Sequence, residues 1–131
     1  MPVKGPYNHI HLISADPEAA ADWCAKPLGA DIFRKEELRG SQNIRLTLGE
    51  ARLYIRGKRD TDNIASPDGV KRYGIDHFCL SVEDIEGMLR HVEENGGTVS
   101  EPLFLLPSGN RAAYVQGPDG VQIELIEPAS D

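Results

Sequence analysis

The sequence predicts an α+β fold, two tandem βαβββ modules forming a curled mixed sheet around a cavity. Three observations carry this expectation: an internal repeat, alternating polarity in the strand-like runs, and helix caps at matching places in the two halves. Sliding the chain by 68 positions lays Asn8-His9-Ile10-His11-Leu12 over Asp76-His77-Phe78-Cys79-Leu80, then Asp16 over Asp84, Glu18 over Glu86 and Gly29 over Gly97, with no gap. Self-similarity at a fixed offset marks a duplicated structural unit.

Each copy opens on a strand. Residues 7–14 and 75–82 alternate apolar and polar side chains, the signature of a strand with one buried face. Ile10 and Leu12 then face the core, as do Phe78, Leu80 and Val82, while His9, His11, His77, Cys79 and Ser81 share the opposite face. A helix follows. Asp16 is placed to cap the first, with Pro17 at its first position, and Asp84 to cap the second. In the second helix Ile85, Met88, Leu89 and Val92 recur at helical spacing, and Asn95-Gly96-Gly97 supplies the stop. Pro27 is expected to end the first helix early and make it the shorter of the two. Trp23, on that helix, is expected in the core, and His91, on the second, at the surface.

Three strand-like runs complete the first copy, at residues 31–35, 43–48 and 51–56, and their counterparts fall at 98–105, 111–115 and 121–126. Module one thus covers about residues 5–57 and module two about 74–128 of a single domain, joined by a connector at 58–73. The connector is rich in Gly, Asp, Lys and Arg, with Ser66-Pro67-Asp68-Gly69 as a turn signal. A segment this long serves as a link between modules or as a substrate-covering loop.

Composition bounds the partners. A chain of 131 residues, 40% hydrophobic and 27% charged, has enough apolar material for a real core without disulfides. Cys24 and Cys79 are far apart and lack zinc-binding spacing, which points to a reducing, cytoplasmic setting. No apolar export segment opens the sequence, and the longest apolar run is far too short for a bilayer. The net charge of −7 argues against nucleic acid or an anionic membrane as the main partner, while a local basic pocket for a small-molecule substrate stays compatible with it.

His9 and His77 occupy matching positions on the first strands of the two copies, and Glu124 lies on the last strand of the second. If the two sheets curl together, all three side chains meet in one cavity. Two imidazoles and one carboxylate with open positions suit a catalytic divalent metal. A lone histidine in a strand is more often structural, but two at repeat-equivalent positions are harder to explain by packing. Strand alternation puts His11 on the same side, either as a proton-transferring base or as a buried histidine bonded to backbone. The same parity turns Asn43, Arg45 and Thr47 inward, together with Arg52, Tyr54 and Arg56. The arginines suit an anionic substrate, the alternative being that they emerge at the rim into solvent.

Tyr7-Asn8-His9-Ile10-His11-Leu12, Leu28-Gly29, the run from Gly74-Ile75-Asp76-His77 to Ser81-Val82, and Gly117-Pro118-Asp119-Gly120-Val121-Gln122-Ile123-Glu124-Leu125 together resemble the vicinal-oxygen-chelate superfamily. That superfamily holds glyoxalases, extradiol dioxygenases, epimerases and bleomycin- and fosfomycin-resistance proteins. The resemblance covers nearly the whole chain. It implies ligands from the first and last strands of each copy: His9, His77, Glu124 and a fourth position at or near Tyr54, where glyoxalases carry a carboxylate. A three-ligand His-His-Glu site is dioxygenase-like and makes Fe2+ the favoured ion, with Mn2+, Zn2+, Ni2+ and Co2+ also compatible. Tyr114, ten residues before Glu124, matches the substrate-contacting tyrosine of the extradiol signature, whereas Leu105, Leu106 and Pro107 stand where that signature needs a histidine. A glyoxalase- or epimerase-type lyase or isomerase, with Glu124 or His11 as base, is the alternative reading, and a metal-free drug- or metabolite-binding resistance protein is the second. The family also implies a homodimer, with a site formed within one chain or across two.

Overall fold

The computed structural model describes residues 2–65, 68 and 70–130. The chain divides into two compact units, Met1–Ile64 and Ala65–Asp131. Unit 1 runs β1 (Ile10–Ile13), α1 (Pro17–Leu28), β2 (Asp31–Leu38), β3 (Ser41–Leu48) and β4 (Ala51–Arg56). Unit 2 repeats this as β5 (His77–Ser81), α2 (Ile85–Glu94), β6 (Thr98–Leu105), β7 (Arg111–Gln116) and β8 (Gln122–Glu127), with a 3-10 turn at Pro118–Gly120. The strands form two four-stranded mixed sheets, ordered β1-β4-β3-β2 and β5-β8-β7-β6. In each, the first strand runs parallel to the last and the other neighbours are antiparallel. The α+β class and both βαβββ modules are therefore present, but as two separately hydrogen-bonded open sheets where one curled sheet was expected.

Local chemistry explains the helix ends. Asp16 accepts a hydrogen bond from the Ala19 N–H and Asp84 one from the Gly87 N–H, each satisfying a donor that the first turn leaves without a partner. At the end of α2, Gly96 (φ 83°) lets its own N–H reach the Glu93 carbonyl and the Gly97 N–H reach the Val92 carbonyl, closing the helix in a Schellman motif. Pro27 does not shorten α1. It sits in the last turn, and α1, at 12 residues, is longer than α2, at 10. So near the end a proline forfeits only the bond back to Trp23. Gly29, left-handed at φ 73°, makes the actual stop and donates to the Ala25 carbonyl.

Each helix covers one face of its own sheet. Ala20, Ala21 and Cys24 of α1 are buried against β3 and β4, whose Ile44, Leu46, Leu53 and Ile55 are all but inaccessible. In unit 2, Ile85 and Val92 of α2 are buried with Val115, Ile123 and Leu125. A fully buried Leu or Ile contributes about 1.5–3 kcal/mol, so these residues supply most of the drive to fold each unit. Trp23 is only half-buried, at the margin of the core expected to hold it, because α1 buries its small residues instead. His91 is exposed, as expected.

The β2–β3 hairpin is longer than the alternation predicted. Arg39 (φ 52°) and Gly40 (φ 83°) form a two-residue turn with both central φ positive, which matches the twist of the flanking strands and extends pairing to Leu38↔Ser41. A bulge between Ile32 and Arg34 resets the strand's facing. Of the expected turn in the connector, Ser66, Pro67 and Gly69 lie outside the described residues. Earlier in the connector, Arg56 Nη1 donates to Asp62 Oδ2 at 2.6 Å, and the Arg59 N–H donates to the same oxygen at 2.8 Å. Among the described residues no helix is long and apolar enough to cross a membrane.

Candidate functional site

The polar face of unit 1 is organised around one tyrosine. Register places His11, Tyr54, Arg45 and Arg34 side by side across β1, β4, β3 and β2. His9, just before β1, stacks on Tyr54 with ring centroids 4.0 Å apart and planes 22° apart. Its Nδ1 donates to Asn8 Oδ1 at 2.7 Å. The Arg45 guanidinium lies over the same tyrosine ring, 4.9 Å from its centre. Glu36 holds both neighbouring arginines, at 3.0 Å from Arg34 and 3.6 Å from Arg45, which offsets the repulsion of two guanidiniums placed directly opposite each other.

The remaining inward-parity residues divide. Arg52 and Thr47 face each other across β4 and β3, with Arg52 exposed. Asn43 is buried and donates its amide to the Leu38 and Ser41 carbonyls, so it braces the hairpin instead of offering a donor to a ligand. Arg56 is committed to Asp62 and the Gly57 carbonyl, which anchors the connector. Sequence alternation assigned Asn43 and Arg56 to the correct strands but had no access to these partners. His11 is partly exposed and stands edge-on to Tyr54. Partial burial, reinforced by His9, Arg56, Arg59 and Arg45, pushes its pKa down from the ordinary histidine value.

Unit 2 carries the corresponding row as Cys79, Glu124, Tyr114 and Glu101 across β5, β8, β7 and β6. Tyr54 opposite His11 and Glu124 opposite Cys79 are thus repeat-equivalent. His77 Nδ1 donates to Asp76 Oδ2 at 2.8 Å, and its Nε2 stands 3.1 Å from Glu124 Oε1. Tyr114 meets the His77 ring edge-on at 5.1 Å and stacks on Phe104 at 6.2 Å. Burial, with Glu124, Glu101, Asp76 and Cys79 adding to it, raises the Tyr114 pKa and keeps its hydroxyl protonated. A cleft of about 440 Å³ opens beside this end of β5, with Lys71, Tyr73, Ile75, Asp76 and Gln122 in its walls.

Within neither unit do three or more His, Cys, Asp or Glu side chains converge to hold a metal ion among the described residues. Unit 2 brings together two of the three expected donors, and unit 1 presents the third, His9, against Tyr54. The spacing in unit 2 passes a chemical test. Adjacent nitrogen and oxygen ligands of a divalent metal at about 2.1 Å are about 3.0–3.4 Å apart, and His77 Nε2 and Glu124 Oε1 fall in that range. A carboxylate on the far ring nitrogen, as Asp76 provides, also orients metal-binding histidines. Sequence reading passed over Asn8 and Asp76, although the aligned repeat puts one over the other. It also passed over Glu36, hidden by the bulge in β2.

Comparison with known proteins agrees with this layout. The chain is 26% identical over 124 residues to a lactoylglutathione lyase of Escherichia coli O157:H7, covering 91% of this chain and 90% of that protein. A lactoylglutathione lyase of Arabidopsis thaliana is 36% identical over 132 residues, covering 96% of this chain but 46% of the plant protein, so the chain spans about half the length of that relative. The crystal structure of a glyoxalase family protein from Enterococcus faecalis superposes with a TM-score of 0.78 at 25% identity, covering 93% of this chain and 97% of that one. Residues 7–125 match the family model of the Glyoxalase/Bleomycin resistance protein/Dioxygenase superfamily. With that match over most of its length and its duplicated βαβββ unit, the chain belongs to that superfamily.

Proposed function

We propose that the protein is a divalent-metal-dependent lyase or isomerase of the glyoxalase type, acting on a small anionic substrate that chelates through adjacent oxygens. The observation that carries the reading is the His77–Glu124 pair, 3.1 Å apart with Asp76 behind the imidazole. His77 and Glu124 would be two of the metal ion's ligands, and His9, the repeat-equivalent histidine of unit 1, is the third ligand proposed. A bound divalent ion polarises substrate oxygens as a Lewis acid and stabilises enolate-like charge. Fe2+, Mn2+, Zn2+, Ni2+ and Co2+ all suit two imidazoles and a carboxylate.

The rest of the work falls to side chains. His11, its pKa lowered by burial and neighbouring positive charge, is an uncharged base at neutral pH and takes a proton from the substrate; Glu124 is the other candidate base. Arg45 and Arg52 pair with substrate carboxylate, and Tyr54 supplies an aromatic wall beside them. Arg56, tied to Asp62, contributes mainly by holding the connector in place. Tyr114, protonated and beside His77, is a hydrogen-bond donor to a bound oxygen.

The relatives' names make S-lactoylglutathione, which carries two carboxylates, the first substrate to try. The metal-loaded protein is expected to interconvert it with glutathione and a 2-oxoaldehyde, and His77→Ala to abolish this. A second reading, a dioxygenase-like centre on Fe2+, is favoured by one observation: Tyr54 stands where Glu124's repeat equivalent would be, so only three ligands are available. Oxygen uptake with a catechol panel, and no thioester chemistry, selects that reading. Absence of both activities from fully loaded protein contradicts the enzyme assignment and favours a binding protein.

A further inference from the structure

We propose that Tyr54 is a positioning residue that fixes the plane of the His9 imidazole through its ring, without coordinating metal through its hydroxyl. The inference rests on the reading of His9 as a metal ligand, and it explains how unit 1 uses the place that Glu124 fills in unit 2.

Two contacts hold the His9 ring, and further contacts hold Tyr54. His9 lies nearly parallel to Tyr54 at 4.0 Å, a stack made by the ring face and independent of the hydroxyl. Asn8 Oδ1 accepts from His9 Nδ1 at 2.7 Å, so rotation of the imidazole breaks both contacts at once and Nε2 is left to act as ligand. Tyr54 is itself held in place. Arg45 lies over its ring at 4.9 Å and is tethered by Glu36, while His11 and Phe33 approach edge-on at 5.9 and 6.4 Å. His9, as the residue just before β1, has no strand pairing of its own to fix it. A side chain there needs an external support, and the aromatic clamp is the support present. In unit 2 the equivalent histidine begins β5 and is held from both ring nitrogens by carboxylates. Both histidines are thus held at Nδ1 by a hydrogen bond to the preceding residue's side chain, and the halves differ in what supports the rest of the ring: a face-to-face stack on Tyr54 in unit 1, the Glu124 carboxylate beside Nε2 in unit 2.

The test compares Tyr54→Phe with Tyr54→Leu in the full-length protein. Zn2+ affinity is measured by competition with a chromophoric chelator, and the His9 ring protons by NMR before and after zinc addition. Tyr54→Phe keeps the stack, so zinc affinity within about twofold of wild type and unchanged upfield-shifted His9 resonances are expected. Tyr54→Leu is expected to remove the ring-current shift and weaken zinc binding about 10-fold or more, the scale of lost ligand support. Circular dichroism on both variants checks that the sheet is intact.

Loss of zinc affinity in Tyr54→Phe as large as in Tyr54→Leu would mean the hydroxyl is the working group and would overturn the proposal. His9 resonances indifferent to Tyr54→Leu would overturn it as well. Failure of the underlying reading looks different: His9→Ala would bind zinc like wild type, while the ring-current shift in the parent protein would still depend on Tyr54.

Discussion

Asp76 Oδ2 accepts a hydrogen bond from His77 Nδ1 at 2.8 Å while its other oxygen takes Lys71 Nζ at 2.6 Å. The carboxylate thereby orients the imidazole toward Glu124 and is itself held by a cation. Lys71 first, and His77 second, keep the Asp76 carboxyl below the usual carboxylate range, so it stays ionised well into mild acid. Asp76→Ala is expected to leave the fold intact and lower divalent-metal affinity about 10–100-fold. Isothermal titration with Zn2+ checks this, and unchanged affinity would remove Asp76 from the site.

The Arg56–Asp62 pair makes a pH-dependent contribution to stability. Arg56, followed by the Arg59 N–H, lowers the Asp62 pKa in the folded chain relative to the unfolded one. The stabilisation is therefore complete above the ordinary carboxylate value and is lost as pH falls through the depressed one. Asp62→Asn is expected to lower the melting temperature by a few degrees at pH 7 and to narrow the gap from wild type progressively in strong acid. Differential scanning calorimetry between pH 7 and pH 2 distinguishes this from a gap that stays constant. Limited proteolysis is expected to cut the variant faster near residues 57–62.

Leu46 is fully inaccessible beneath α1, whereas Leu105 is 71% exposed at an edge of unit 2. Leu46→Ala removes buried methyl groups and leaves a cavity, at an expected cost of about 2–5 kcal/mol. Leu105→Ala is expected to change stability by less than about 0.5 kcal/mol. Chemical denaturation of the two variants reads both values.

Much of this organisation is legible in the sequence because duplication prints the same physics twice. His9 over His77 and Asp16 over Asp84 locate both first strands and both helix caps, and alternation along β4 and β8 puts Tyr54 and Glu124 on the polar faces. What stayed hidden depends on contacts that period and propensity do not encode. Pro27 reads as a breaker although the last turn of α1 tolerates it, and Arg39 gives little warning of a positive φ. The bulge in β2 breaks the parity that would have revealed Glu36 beside Arg45. Asp62 becomes the partner of Arg56 only because the start of the connector folds back, a matter of loop geometry.

Neither cysteine is in a disulfide, and both thiols are poor nucleophiles at neutral pH. Burial pushes Cys24 up to about 12. Cys79 is pushed up to about 11, first by burial and then by Glu124 opposite it on β8. Because the thiolate is the reactive form, alkylation by iodoacetamide at pH 7.5 is expected to be slow at Cys79 and slower still at Cys24, which is also inaccessible. Glu124→Gln removes a negative charge and is expected to speed modification of Cys79 while leaving Cys24 unchanged. Peptide-resolved mass spectrometry of timed samples measures both rates.

On the proposed reading, His77, Glu124 and His9 are ligands of one divalent ion per chain. Elemental analysis after purification without added metal, and again after reconstitution and desalting, tests it most directly when wild type is compared with His9→Ala, His77→Ala and Glu124→Ala. About one ion per chain is expected in wild type and little or none in each folded variant. Full occupancy in His9→Ala, His77→Ala or Glu124→Ala, or a wild-type chain that retains no metal after reconstitution, would overturn that assignment.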